Sequence, residues 1–147
     1  MREILFRGKQ RLAGGWCEGF LVKTGDHFRI STRNDMISFG VVPETVGQYT
    51  GLKDRNGKRI FEGDIISADN TRQHCVAVVK FGEYYPDMFY KMLQFLTAGK
   101  QKLPACGFFA ESVDRHEEMI LFKSPCVTVI GNIHDNPELL EGGANDG

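Results

Sequence analysis

Apolar residues in this chain come in short runs broken by glycine and polar turns, the rhythm of antiparallel strands. Ile4-Leu5-Phe6 opens a strand that ends near Gly8. Gly14-Gly15 turns the chain, and Trp16 to Val22 reads as the hairpin partner. Thr24-Gly25-Asp26 leads into Phe28-Arg29-Ile30, whose alternation suits a half-exposed strand. Ile37 to Val42 is a further strand, stopped by Pro43, which has no amide hydrogen to give to a ladder.

The middle of the chain is the most patterned. Val46 to Leu52 precedes Asp54-Arg55-Asn56-Gly57-Lys58, and Asn-Gly predicts a tight two-residue hairpin because both positions accept left-handed backbone angles. Glu62-Gly63-Asp64 then enters Ile65-Ile66-Ser67-Ala68, a polar loop covers Asp69 to Gln73, and Cys75 to Phe81 reads as a buried strand. Gly47, Gly51, Gly57, Gly63 and Asp64 are expected to shape turns. Residues 83–105 break the rhythm: Met88, Met92, Phe95 and Leu96 recur at helical spacing between a capping Asp87 and Gly99, which predicts a helix over 88–98 packed on a sheet. Strands resume at Gly107 to Ala110, paired with Glu118 to Phe122 across Asp114 to His116, and at Cys126 to Ile133. Asn136-Pro137 starts a short terminal helical turn, and 141–147 is expected to fray.

Composition narrows this picture. With 147 residues, 41% of them hydrophobic, the chain can bury a core, and it is too apolar for disorder. No run nears the roughly 20 apolar residues that span a bilayer, so no membrane role is expected. Charges interrupt the N-terminus before a signal-peptide core can form, which makes the cytoplasm the expected location. The net charge of −1 hides an asymmetry: residues 1–60 carry +5 and residues 61–147 carry −6. The first reading is complementary packing of two halves or two subunits, and the second is a basic surface for nucleic acid.

Catalytic and metal chemistry find little support. Cys17, Cys75, Cys106 and Cys126 lack paired spacing, so free thiols are expected; joined to His27, His74, His116 and His134 they make zinc arithmetically possible but without paired ligands. His134-Asp135 resembles half a triad, yet its place before Asn136-Pro137 suits turn capping. Glu62 and Asp64 sit at a tight strand entry, where acidic groups bond local amides, and Cys75 beside His74 needs a partner in reach to be an activated thiol. No phosphate loop and no nucleophile elbow is present.

Three stretches together carry a resemblance. Ile4 to Lys9 with Gly15-Trp16 and Gly19, then Pro43 to Asp54 with Asn56-Gly57-Lys58 and Ile60 to Ile65, and finally Val129 to Leu140, resemble the opening, centre and end of the YopX-like proteins of bacteriophages and prophages. The resemblance is weak over 83–105. It implies a largely β fold and a phage setting, and it brings no assigned activity, catalytic residue or cofactor. The expected fold is mainly β with minor α, in antiparallel strands. An N-terminal β lobe spans 1–60, and an SH3-like, partly open barrel with the helical insertion spans 61–140, the two forming one compact unit. The expected function is non-catalytic: a protein-interaction or self-assembling module, motivated by 16 aromatic residues. The alternative is a nucleic-acid-binding accessory protein using the basic first half, with Trp16, Phe28 and Tyr49 for stacking; a hydrolase or metal enzyme is a remote third. Arg7, Trp16, Tyr49, Lys53, Arg55 and Lys58 are the surface binding candidates.

Overall fold

A computed structural model of the chain describes residues 3–32, 37–69, 74–84, 105–114, 118–120 and 127–141. The helix expected over 88–98 lies outside the described residues, as do most of the insertion and the tail beyond 141. What is described is mainly β, in two antiparallel sheets that belong to two compact units. The first unit comprises Met1–Lys53 and Arg59–Glu62, and the second Asp54–Lys58 and Gly63–Gly147.

The first unit holds β1 (Phe6–Lys9), β2 (Trp16–Thr24), β3 (His27–Ser31), β4 (Ser38–Gly40), β5 (Gly47–Lys53) and β6 (Arg59–Phe61), in the order β4-β3-β2-β1-β5-β6. The two-residue period of a strand sorts its side chains onto two faces. One face gathers Cys17, Ile30 and Val41 as a buried cluster, with Phe6, Leu21, Phe28, Phe39 and Val46 packed against it. The other buries Leu5, Tyr49 and Phe61 on the β1-β5-β6 side. The sheet curls toward the first cluster: Gln10 bridges to Val41, and the Val42 amide donates to the Lys9 carbonyl at 2.9 Å. Gly19 permits the curl, because a Cβ there would collide with the Ser31 carbonyl oxygen. Pro43–Thr45 forms a single 3-10 turn before β5.

The hairpin between β5 and β6 differs from the two-residue Asn-Gly turn that the sequence predicts. Lys53 pairs with Arg59, the Asp54 amide donates to the Lys58 carbonyl at 2.8 Å, and Arg55-Asn56-Gly57 forms a three-residue loop. Gly57 takes the left-handed position of that wider loop, at φ 79°. The Asp54 carboxylate, described below, favours it by accepting the amides of Asn56 within the loop and Lys58 just after it.

The second unit holds β7 (Asp64–Asp69), β8 (His74–Tyr84), β9 (Ala105–Ser112), β10 (Glu118–Ile120), β11 (Val127–Asn132) and α1 (Glu138–Glu141). Its order is β10-β9-β8-β7-β11: a four-strand meander whose fifth strand returns beside the first. The sheet is open, with no pairing between β10 and β11 among the described residues. Ile65 and Ile66 are both buried, so β7 is covered on both faces, as its unbroken apolar run suggests. Ala77, Val79, Phe109, Ala110 and Val127 complete the buried set.

Candidate binding site

Three of the expected binding residues meet on one face of the first sheet. The Arg7 guanidinium lies between the rings of Trp16 and Phe61, 4.8 and 4.9 Å from their centroids. Tyr49 packs on Phe61 at 5.5 Å, and Arg59 lies 5.8 Å from the Tyr49 ring while pairing with Glu18 at 3.2 Å. The strand registers produce this stack, because Arg7 pairs with Gly47 on one side and Glu18 on the other, which brings β5 and β2 side chains to either flank. The cost is exposure. Arg7 is 8% exposed and Tyr49 5%, so two residues expected at the surface are interior, held by ring contacts that desolvate the cation. Trp16 stays half-buried. Phe61 and Arg59 complete the stack and carry no sequence signal beyond lying in a short β run.

Lys53, Arg55 and Lys58 are exposed around the β5–β6 hairpin, apart from that stack. The residue that organises the turn is Asp54, which is buried. Its Oδ1 accepts the amides of Asn56 at 2.8 Å and Lys58 at 2.9 Å, and its Oδ2 accepts the Val129 amide at 3.0 Å. Burial pushes this carboxyl up, but the amides of Val129, Lys58 and Asn56 together with the Lys58 charge outweigh it and hold the pKa below the ordinary value. An aspartate two and four residues before the amides it caps is the signal in sequence.

A second concave feature lies at the other edge of the first sheet. A cavity of about 390 Å³ is lined by residues that include Arg11, Leu12, His27, Arg29, Ser38 and Gly40. Arg29 Nε donates to Ser38 Oγ at 3.0 Å and Nη2 to the Ser38 carbonyl at 2.9 Å, while Arg11 Nε donates to the Val41 carbonyl at 3.4 Å. Alternation along His27-Phe28-Arg29 was the available signal, since it puts His27 and Arg29 on the exposed face of β3.

The groups weighed for catalysis lie in turns and near strand ends. Asn132 Oδ1 accepts the amides of His134 and Asp135, so this pair belongs to the turn between β11 and α1. Asp64 is buried at the start of β7. Burial raises the pKa of the Cys17 thiol, which donates to the Gly8 carbonyl at 3.5 Å. Cys75 is half-buried and Cys106 exposed, and all three thiols are free. Among the described residues no group of three His, Cys, Asp or Glu could hold a metal ion, and no helix is long and apolar enough to cross a membrane.

Comparison with known proteins agrees with the resemblance in the motifs. A solved structure, protein EF1440 from Enterococcus faecalis, is similar at 21% identity and a TM-score of 0.49, over 95% of this chain and 99% of its own. No curated protein matches. The family described as YopX protein matches over residues 19–141, a span that takes in the β5–β6 hairpin, the Asp54 turn and the Asn132–Asn136 turn. The chain belongs to the YopX protein family.

Proposed function

We propose that this chain is a non-catalytic protein-interaction module that works in the phage or prophage setting its motifs imply, and that it can self-associate. One observation carries the reading. On β8 and β9 the registers Ala77↔Ser112, Val79↔Ala110 and Phe81↔Phe108 put these pairs on one face. The first two pairs are buried, yet Phe81 is 54% exposed, so a core-like face continues into an aromatic that nothing covers among the described residues. Phe81 and Phe108 meet edge to face at 5.0 Å. Beside them Gly82 pairs with Gly107, and a Cβ at either would meet nothing within 4 Å, which leaves bare ladder open to the approach of another chain. The open five-stranded sheet that carries this face leaves it accessible to such docking.

Sedimentation equilibrium over a range of concentrations tests the reading. Burying the exposed half of a phenylalanine is worth about 1 kcal/mol, so Phe81→Ser should weaken association by roughly fivefold. A wild-type chain that stays monomeric, and that retains no protein from an infected host through Phe81, removes the proposal.

A further inference from the structure

We propose that the Arg11–Arg29 cavity binds a phosphate group, presented by the backbone of a single-stranded nucleic acid. The floor of the cavity is Gly40. The position its Cβ would occupy lies 3.9 Å from Arg11 Cδ and 3.9 Å from Arg29 Nη1, so two cationic side chains converge on one bare spot of backbone. Arg29 is held there by Ser38, which takes Nε and Nη2 and leaves Nη1 toward the floor. Arg11 is held through Nε, which leaves its two terminal nitrogens.

Among the described residues the lining contains these two arginines and His27, and no carboxylate. Elsewhere in the same unit the contrast is clear: Arg59 faces both Glu3 and Glu18. Two cationic side chains that approach one spot with no counter-charge among the described residues favour an oxyanion there, which takes forked guanidinium hydrogen bonds from both. The surroundings favour a nucleotide strand as its source. Val22 pairs with Arg29 across β2 and β3, and Phe20 stands two residues along on the same face. Phe20 and Val22 are 49% and 46% exposed, and Leu12 at the cavity rim is fully exposed. An unpaired base can stack on Phe20 while its phosphate sits between the arginines, an arrangement closed to a base inside a duplex.

The test titrates inorganic phosphate, a single-stranded oligonucleotide and its duplex separately into the protein. The readouts are binding and the Arg29 Nε–H resonance, which its bond to Ser38 makes observable. The expected result is a shift of that resonance with phosphate and with the single strand, and single-strand affinity that falls with salt. Arg11→Gln should lower affinity roughly tenfold and flatten the salt slope by about 0.7. Gly40→Val should abolish binding by filling the floor. Arg11→Gln does not touch the Arg29–Ser38 bonds, and an unchanged Arg29 Nε–H resonance and melting temperature in Gly40→Val separate a filled site from unfolding. Absence of any response at low salt, or unchanged affinity in both variants, overturns the proposal. A response to phosphate with none to the single strand, or duplex binding as tight as single-strand binding, overturns the assignment of the source. All of these readouts lie in the first unit and leave the Phe81 surface out, so the two proposals can fail independently.

Discussion

Asp54 offers the most direct measurement of how the hairpin motif works. Replacing it by alanine removes the acceptor for three amides, those of Asn56, Lys58 and Val129. Asn56 and Lys58 are exposed, so their amides regain water and cost about 0.5 kcal/mol each. The Val129 amide sits in a half-buried strand residue and loses a charge-assisted bond, worth about 1.5–3 kcal/mol. Asp54→Ala should therefore destabilise by about 2.5–4 kcal/mol, with Asp54→Asn near half of that because one carbonyl acceptor survives. Urea unfolding at neutral pH measures the loss, and hydrogen exchange at Val129 assigns it to the correct amide. The pH dependence is an independent check. The folded carboxyl titrates below its ordinary value of 3.8, so its contribution is complete above that pH and is lost as pH falls through the lower folded value. Wild type should weaken in that acid range more steeply than Asp54→Asn. Equal stability at neutral pH, or parallel acid limbs, would refute the reasoning.

Three further outcomes follow from other contacts. Arg7→Lys should cost about 1–2 kcal/mol in chemical denaturation and perturb the fluorescence of Trp16, the single tryptophan, because an ammonium cannot fill the planar slot between Trp16 and Phe61. Gly19→Ala should lose about 2 kcal/mol or more, since the added carbon meets backbone of Ser31, whereas Gly15→Ala, with open space around it, should stay within about 1 kcal/mol of wild type by thermal melting. Among Cys17, Cys75 and Cys106, a thiol reagent should label Cys106 first and Cys17 only on unfolding, because burial both shields the Cys17 thiol and disfavours its thiolate; mass spectrometry of the labelled peptides reads the order.

Strand positions and family were legible because they rest on local rules. Alternation marked β3, the Gly14-Gly15 turn marked β2 as a hairpin partner, and the stretch around Asn132 and Asn136 showed its turn chemistry in its residue types, whereas the Cys75 to Phe81 run, read as a buried strand, is buried only at alternate positions of β8. Even so, the sequence alone misjudged the hairpin, since Asn-Gly favours a two-residue turn until a carboxylate one strand-end away accepts the amides of a wider one. What only the tertiary structure decided is which residues meet and how far they are exposed. Arg7, Tyr49 and Phe61 are distant in sequence, and register across β1, β5 and β6 stacks them into an interior cluster. Arg11 and Arg29 converge at Gly40 because the curl of the sheet brings the β1–β2 turn against the end of β4. Periodicity reports the face on which a side chain lies, whereas burial and partnership depend on long-range pairing and sheet curvature, which sum contacts over the whole fold.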